Sequence, residues 1–400
     1  MKVALIYLSY NDTNKTIAKI DGVLTAFKKD GVLVDFVSVV NKKDDIGFRR
    51  QLIELKECYD CVFVFGGDKA EFPLKEIIAE LFETTLEENA VAREIVEKNI
   101  VDKNDDVISE CATLPFSSTI IPNTVGVYQG FIIDGADVVL FVLPTDNEIS
   151  ALNGYAFPYI ATKYNCEKTK KVIKSFGDNK PLKEMLDREC EANGNKMTYN
   201  IIQNYGDNTV NLFFDKDFDI HKEHDVLRRI VGEFYENIYA EYDVSLSERL
   251  FDLLRLKSLK ISTAESFTAG NIVSSIISNS GASEVVIEGI VCYSDRSKIK
   301  RVNVSEEDII TDGAVSSTVA YQMAVGLLDN RECDVAIATT GIAGPKSDNT
   351  KKPVGLSYIA VGTRKGVHVY KYNLSGSREE ITKKATNNAL FLTIELLKKY

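Results

Sequence analysis

A predicted strand-to-helix junction in the last domain carries the side chains best suited to chemistry. Residues 259–263 alternate apolar and polar as a β-strand does, and apolar residues at helical spacing follow from Ile272. Ser266 and Thr268 lie between the two elements. A hydroxyl at such a turn lies at the positive end of a helix, beside free backbone N–H groups, where a nucleophile or a bound anion would be placed. The same hydroxyls are good N-caps, so an ordinary capped helix is the alternative for this stretch alone.

Three loops of this domain are predicted to meet at one edge of a sheet. They span residues 265–270, 293–298 and 340–345, and each follows a predicted strand. Because the carboxyl ends of parallel strands converge on one cleft, we expect these loops to share it. A fourth segment brings a cation, Arg378, to the start of the final helix.

The side chains of this cleft favour one kind of nucleophile. His368 falls on a predicted strand, so a Ser-His-Asp arrangement is not expected. Burial or a nearby cation can lower the pKa of a lysine until it accepts a serine proton, which makes Lys298 the candidate base for Ser266. Tyr293 adds a phenol to the same cleft. The residue types alone leave open a second interpretation, a small-anion binding site.

The length and composition of the chain limit its domain number, its partners and its location. A chain of 400 residues is long enough for two or three domains, and its net charge of -11 argues against a nucleic-acid partner. No apolar run reaches the length of a membrane span. The seven cysteines lack framework spacing, which predicts a reducing, cytoplasmic location. We interpret Cys58 and Cys61 as core cysteines rather than a redox pair, and His221 and His224 as surface residues.

The order of predicted elements indicates an α/β protein of three parts. Residues 1–150 alternate buried strands with helices, which predicts a mostly parallel three-layer sheet domain. Residues 151–245 are predicted to form a linker and a small α+β module, with a helix over 168–176, a hairpin turning at 206–208 and a helix over 222–238. Residues 246–400 form the last α/β domain.

The first domain offers weaker sites. Its candidate ligand loops are Ser9–Asn14, Gly66–Lys69, Pro122–Gly130 and Pro144–Glu148, all beyond predicted strands. The acidic residues Asp68, Glu71 and Glu148 are the candidates for metal ligands, and they form no convincing cluster.

Five motifs of the last domain, taken together, resemble a known family. The motifs are Thr263–Gly270, Glu288–Ser294 with Lys298, Gly313–Ser316, Thr340–Pro345 and Lys352–Gly355. In this order and spacing they are similar to the C-terminal domain of CinA proteins, the nicotinamide-nucleotide amidase family. This chain has Phe267 where the family has Cys, and Ala269 where it has Gly.

The resemblance implies hydrolysis of nicotinamide mononucleotide (NMN) to nicotinate mononucleotide and ammonia, with no cofactor. It carries the catalytic pair over to Ser266 as nucleophile and Lys298 as base, with Tyr293 orienting or relaying the proton. Arg378 and a helix N-terminus would bind the 5′-phosphate. Other residues of the cleft are expected to bind substrate or supply oxyanion donors: Glu265, Thr268, Ala269, Gly270, Thr340, Gly341, Ala343 and Gly344.

The resemblance extends upstream more weakly. Residues 1–150 resemble the MoaB/MogA-like molybdopterin-binding domain of CinA proteins, and Met197–Ile238 resembles the family's KH-like module. The family's metal-dependent ADP-ribose pyrophosphatase motifs are mostly lost at Tyr7–Asn14, Gly66–Pro73 and Leu143–Glu148. A divalent metal is expected only if that activity survives. We predict that it does not, and that the domain serves structure and homodimer formation.

Two other functions remain as alternatives at this stage. One is a regulatory protein that binds a nucleotide or pterin without turnover. The other is an ADP-ribose pyrophosphatase in the first domain. Retention of both Ser266 and Lys298 favours the amidase, whose partner would be a small nucleotide substrate.

Overall fold

The computed structural model describes residues 1–9, 13–66, 72–100, 104–144, 147–329, 332–347 and 352–400. The chain divides into two compact units, residues 1–169 and 170–400. Among the described residues no helix is long and apolar enough to cross a membrane.

The first unit is built on a six-stranded sheet of order β2-β1-β3-β8-β7-β6. The first four strands of this order run parallel, and β7 and β6 add antiparallel neighbours at one edge. The strands are β1 (Val3–Ser9), β2 (Phe36–Asn41), β3 (Cys61–Phe65), β6 (Thr119–Ile121), β7 (Gly130–Asp134) and β8 (Val139–Leu143), while β4 (Leu86–Glu88) and β5 (Thr113–Pro115) pair separately. The helices are α1 (Thr13–Asp30), α2 (Asp45–Cys58), α3 (Leu74–Leu81), α4 (Ala90–Asn99), α5 (Asp105–Ala112), α6 (Glu148–Ala151) and α7 (Phe157–Lys163).

Apolar side chains cover both faces of this sheet. One core contains Leu5 and Phe63 with α1 and α7, and the other contains Ile6 and Val64 with α2 and α3. Side chains of residues 151–160, which the sequence analysis assigned to the linker, pack in the first of these cores. The predicted parallel α/β class is therefore confirmed.

The second unit begins with a four-stranded sheet of order β10-β11-β9-β12, in which β10 pairs antiparallel with β11 and β12 pairs antiparallel with β9. Its strands are β9 (Lys168–Phe176), β10 (Met197–Asn204), β11 (Asp207–Asp215) and β12 (Ile238–Ala240), and its helices are α8 (Lys180–Ala192) and α9 (Ile220–Glu233). The predicted helix over 168–176 is wrong, because this segment is the strand β9. The hairpin turns at Tyr205–Gly206 rather than at 206–208, and α9 ends before Ile238. The likeness of this module to a KH domain stays a prediction.

A five-stranded sheet of order β14-β13-β15-β16-β17 completes the second unit. Its strands are β13 (Ile261–Glu265), β14 (Val286–Val291), β15 (Val335–Gly341), β16 (Leu356–Thr363) and β17 (Gly366–Asn373). Its helices are α10 (Leu246–Leu256), α11 (Asn271–Ile277), α12 (Asp295–Val302), α13 (Glu306–Asp312), α14 (Ser317–Asp329) and α15 (Arg378–Lys398). Ser245 and Glu248 form a capping box at the start of α10.

The strands β14, β13 and β15 run parallel, and β16 and β17 continue the sheet antiparallel. The helices α10, α11 and α15 pack on one face of the sheet, and α14 packs on the other. Because β13 lies between two parallel neighbours, its carboxyl end is flanked on both sides by strand ends that point the same way.

The burial of the cysteines and histidines agrees only partly with the predictions from sequence. Cys61 is buried, and burial raises its pKa to about 11, but Cys58 is exposed, so only one of the two is a core cysteine. His221 and His224 lie on the exposed side of α9, as predicted.

Candidate active site

Three chain segments leave the sheet side by side at the carboxyl end of β13. Glu265, the last residue of β13, is in register with Val291 of β14 and Thr339 of β15. The Cys292 N–H donates to the Glu265 carbonyl at 2.7 Å, and the Ser266 N–H donates to the Thr339 carbonyl at 3.0 Å. The loops after β13 and β14 therefore each begin with a hydrogen bond to a neighbouring strand, and β15 continues to Gly341, two residues beyond Thr339.

The two candidate hydroxyls of the first loop differ in availability. Ser266 is 6% exposed, and its Oγ has no hydrogen-bond partner in the described part of the chain. Thr268 is fully buried, and its Oγ1 lies 2.7 Å from Oγ1 of Thr339. This bond fixes Thr268 to β15, whereas the Ser266 hydroxyl has no partner among the described residues.

The Glu265 side chain folds back under the start of α11. Its carboxylate accepts the N–H groups of Gly270 at 3.0 Å, Ile272 at 3.1 Å and Val273 at 2.9 Å. It also accepts the Thr263 hydroxyl at 3.1 Å. Glu265 is fully buried, so these contacts take the place of solvent. The structure thus gives Glu265 internal partners, where the sequence analysis expected a substrate contact.

The turn from this loop into α11 is left-handed. Ala269 has φ 54° and Gly270 has φ 91°. Glycine adopts such angles freely, whereas a residue with a Cβ pays roughly 1 kcal/mol or more. Ala269, which stands where the resemblance places a glycine, therefore adopts this left-handed angle at some cost in stability.

Lys298 lies on α12, a helix that the sequence analysis did not predict. It is 2% exposed, its Nζ donates to the Tyr293 carbonyl at 3.3 Å, and Asp295 Oδ1 lies 3.9 Å away. Burial lowers the pKa of Lys298 below its ordinary value, while the Asp295 carboxylate opposes that shift. Such an environment increases the fraction of neutral amine, the form that can accept a proton.

Tyr293 is placed differently from the other two proposed catalytic residues. Its side chain is 64% exposed, and the hydrogen bond to Lys298 comes from its carbonyl rather than its phenol. The structure therefore brings the Tyr293 backbone to the lysine and leaves the phenol at the surface.

The backbone donors available to an oxyanion are fewer than expected. The Ala269 N–H donates to the Ser266 carbonyl at 3.2 Å, and the Gly270 N–H is held by Glu265. Within the described residues, the N–H groups of Phe267 and Thr268 in this loop, and of Ala343 and Gly344 after β15, donate to no acceptor. The expected donors Ala269 and Gly270 are thus already engaged.

The end of β15 packs closely on the loop of residues 266–270. A Cβ at Gly341 would lie 2.8 Å from the Phe267 ring and 3.0 Å from the Leu356 carbonyl, so this position requires glycine. Gly344 has φ 83°, and its carbonyl accepts a 2.7 Å hydrogen bond from Nη1 of Arg378. Arg378 is otherwise exposed. The arginine therefore holds the Ala343–Gly344 backbone near the start of α15.

Thr340 connects the cleft to the segment before α14. Its Oγ1 donates to the Ala314 carbonyl at 2.7 Å, and it is fully buried. Lys352 Nζ donates to the carbonyls of Asp312 and Val315, each at 2.7 Å. Thr340 thus has an internal role, and the Gly313–Ser316 motif is fixed from two sides.

The helix starts around the cleft differ in their suitability for a phosphate. The N–H groups of α11 are taken by Glu265, Asp295 lies in the first turn of α12, and Glu379 and Glu380 lie in the first turn of α15. The first turn of α14 contains no acidic residue. Carboxylates at a helix start repel an anion, and Asp312 brings one to α14 as well by accepting the Thr318 hydroxyl, so each of these four starts has a carboxylate nearby.

Sequence reasoning missed two residues of this site. Thr339 holds Thr268, and Asp295 lies beside Lys298. Asp295 was accessible to prediction, since Ser294 is a good N-cap and Lys300 and Arg301 suit the last turn of a helix. Thr339 carries no local signal, because its partner lies 71 positions away.

The carboxyl edge of the first unit's sheet is less fully described. The candidate loops there include residues 10–12, 67–71 and 145–146, so Asp68 and Glu71 lie outside the described residues. Glu148 forms an ion pair with Lys19 at 3.6 Å. Within the described ranges, no group of three or more His, Cys, Asp or Glu side chains could hold a metal ion.

The sequence is similar to known proteins over a longer stretch than the residues of the cleft. Residues 243–397 match the family model described as the CinA C-terminal domain. A competence-damage inducible protein of Caldicellulosiruptor saccharolyticus is 32% identical over 364 residues, which cover 84% of each chain. A CinA-like protein of Kosmotoga olearia is 32% identical over 290 residues, covering 70% of this chain and 69% of the relative.

Among solved structures, the competence/damage inducible protein CihA from Agrobacterium tumefaciens is 36% identical with a TM-score of 0.37. It covers 38% of this chain and 93% of its own. The match to the Caldicellulosiruptor relative is longer than the 170–400 unit, so it includes part of the first unit as well. On the strength of that relative's identity and coverage, this chain belongs to the CinA family.

Proposed function

We propose that this chain is a nicotinamide-nucleotide amidohydrolase that converts NMN and water to nicotinate mononucleotide and ammonia. One observation carries the proposal. A buried lysine with a lowered pKa and a serine with an unpartnered hydroxyl follow the ends of two hydrogen-bonded parallel strands. Hydrolysis of an unactivated amide needs a nucleophile and a base of this kind.

In the first step, neutral Lys298 takes the proton of Ser266 as the serine oxygen bonds to the carboxamide carbon. The tetrahedral intermediate then breaks its C–N bond, and the Lys298 ammonium gives the proton to the departing nitrogen. Ammonia leaves, and nicotinate mononucleotide remains joined to Ser266 as an ester.

In the second step, water replaces ammonia. Lys298 takes a proton from the water as its oxygen bonds to the ester carbon, and returns it to Ser266 as the C–O bond to serine breaks. The enzyme is regenerated, and the products are the free carboxylic acid and ammonia. Neither step requires a metal or cofactor.

The oxyanion of both intermediates needs hydrogen-bond donors that are otherwise unused. The Phe267 and Thr268 N–H groups directly follow the nucleophile and donate to no described acceptor. We assign them to the oxyanion, since pre-oriented donors at the developing charge commonly contribute about 10²- to 10³-fold to the rate.

We assign the 5′-phosphate to Arg378 and the start of α14. Arg378 uses one Nη1 hydrogen bond for the Gly344 carbonyl, which leaves further guanidinium N–H groups for a phosphate. The Thr340 bond to Ala314 links the loop beside Arg378 with the segment before α14. The Asp312 carboxylate accepts the Thr318 hydroxyl in the α14 first turn, so Arg378 is the group that would offset the phosphate charge there.

The test is ammonia release from NMN by the wild-type chain and by the variants Ser266→Ala and Lys298→Ala. We expect release by the wild type and loss of at least about 10³-fold in each variant, as is usual when one member of a nucleophile–base pair is removed. Unchanged release in both variants would refute the assigned pair. Absence of release by the wild type, with NMN binding retained, would instead favour a regulatory protein that binds a nucleotide without turnover.

A further inference from the structure

We propose that Glu265 is a positioning residue that fixes the nucleophile loop from inside the protein without touching substrate. This inference rests on the amidase proposal for its kinetic consequence, but its structural part can be measured separately. We call Glu265 with its four donors, Thr263, Gly270, Ile272 and Val273, the carboxylate clamp.

The clamp uses both oxygens of one carboxylate. Oε2 accepts the N–H groups of Gly270 and Ile272, and Oε1 accepts the N–H of Val273 and the hydroxyl of Thr263. A carboxylate has about four lone-pair positions, so four donors saturate it. Glu265 is fully buried, so neither water nor substrate can replace these donors without displacing protein.

The clamp anchors both ends of a very short segment. The backbone of Glu265 belongs to the sheet, where its carbonyl accepts the Cys292 N–H, and its side chain holds the chain again at Gly270. Ser266 and the open N–H groups of Phe267 and Thr268 lie between these anchors. Their positions relative to one another are therefore set by the clamp.

The clamp also determines which anion this corner of the cleft can accept. The negative charge of Glu265 offsets the positive end of α11 and occupies its N–H groups. A transient oxyanion at the Phe267 and Thr268 amides remains possible, whereas a stable phosphate at the start of α11 does not. This places the nucleotide phosphate on the Arg378 side.

The principal test is Glu265→Gln in the full chain. The glutamine side chain has nearly the same shape as glutamate, but an NH₂ group replaces one carboxylate oxygen. This NH₂ group faces N–H donors and cannot accept their hydrogen bonds. We expect kcat for NMN to fall roughly 10- to 100-fold with KM within about threefold, because sub-ångström misplacement of a nucleophile has effects of this size. The matched control is Glu248→Gln, which removes a carboxylate from the α10 capping box.

Two further measurements do not depend on NMN. Amide hydrogen exchange at Gly270, Ile272 and Val273 should accelerate in Glu265→Gln and stay unchanged in Glu248→Gln. The rate at which a fluorophosphonate labels Ser266 should fall with kcat. Unaltered exchange, or accelerated exchange with kcat and labelling both at wild-type values, would overturn the proposal.

A milder variant keeps the test decisive if Glu265→Gln does not fold. Thr263→Val preserves side-chain shape and removes one donor from Oε1. We expect faster exchange at Val273 and slower labelling of Ser266, and no change in either would overturn the clamp. If the wild type releases no ammonia while both exchange and labelling respond as expected, the amidase proposal fails and the clamp stands.

Discussion

The two α/β sheets of this chain differ most at the carboxyl ends of their parallel strands. In the 170–400 unit, these ends are cross-connected by Glu265, Thr268 and Thr339, and the segments that follow two of them contain an unpartnered serine hydroxyl and a buried lysine. In the 1–169 unit, β1 contains Tyr7 near its carboxyl end, whose hydroxyl is buried without a partner, and Glu148 pairs with Lys19. The sheet architecture is similar, so the difference in chemistry resides in the loops.

The comparison teaches that retention of a fold and retention of a site are separate matters. The motifs at the second edge are nearly those of the family, and each one has a described contact that explains it. Gly341 faces Phe267, and Lys352 fixes the segment before α14. For the first edge, the sequence predicts loss of the paired acids of the metal-dependent motif, and the described side chains contain no group of three or more His, Cys, Asp or Glu that could hold a metal ion.

The largest expected difference between the two sheets is the complete absence of ADP-ribose hydrolysis at the first. The Ser266→Ala variant of the full chain, supplied with ADP-ribose and Mg²⁺ or Mn²⁺, should release no AMP, because Gly66–Pro73 departs from the metal-dependent motif and no described group of acidic, His or Cys side chains could hold a metal. Phosphate or AMP release followed by chromatography is the measurement. Robust metal-dependent turnover would show that the first edge kept its chemistry and would remove the contrast.

Replacement of Lys298 should affect activity and stability in different ways. Lys298→Met should reduce kcat/KM by at least about 10³-fold while leaving stability unchanged or higher, because it removes a cation from a buried position. The pKa of Lys298 is lower in the folded chain than in the unfolded chain, where it is about 10.4. Between these two pKa values the unfolded chain binds more protons, so the free energy of unfolding of the wild type rises with pH in that range. The variant should lose this pH dependence. Urea denaturation at several pH values checks the prediction, and marked destabilisation at neutral pH would contradict it.

A smaller effect is expected at the contact between the two loops. Gly341→Ala should destabilise the 170–400 unit by roughly 1–3 kcal/mol, since its Cβ would overlap the Phe267 ring and the Leu356 carbonyl. Gly154→Ala, at a position where a Cβ meets nothing within 4 Å, is a control for the glycine substitution itself. Equal denaturation midpoints for the two variants would show that the loop relaxes freely.

Asp295 should affect pH dependence more than maximal rate. Its carboxylate raises the pKa of Lys298 against the effect of burial, so Asp295→Asn should lower that pKa further. The acid limb of the kcat/KM profile for NMN should then move to lower pH. A limb that stays in place, or moves to higher pH, would argue that another group limits the rate.

The smallest effect concerns the left-handed turn. Ala269→Gly restores the residue that the family has and removes the strain of φ 54°, at the cost of a more flexible unfolded chain. We expect a change in unfolding free energy within about 1 kcal/mol, favouring the glycine variant, and unchanged kcat. A large loss of stability would mean that the Ala269 methyl makes contacts that outweigh the strain.

The sequence was informative wherever local pattern and motif agreed. The junction at Ser266, the β16–β17 hairpin and the capping box of α10 were predictable, because each depends on residues close in sequence. The strand β9 was mistaken for a helix because its pairing with distant β12 determines it, and its lysine-rich half shows no strand alternation. The hydrogen bonds from the start of α11 to the Glu265 carboxylate could not be predicted from the sequence. A carboxylate beside a helix start can equally well bind a cation, contact a substrate or accept the free N–H groups of the helix.

The most direct test of the central claim is to identify the residue that becomes acylated. The wild-type chain and Ser266→Ala should be quenched in acid during incubation with excess NMN, with ammonia assayed in the same samples and peptides analysed by mass spectrometry. We predict a nicotinate mononucleotide ester on Ser266 in the wild type, and neither ester nor ammonia release in the variant. An adduct on Thr268, or ammonia release at the wild-type rate by Ser266→Ala, would contradict the account.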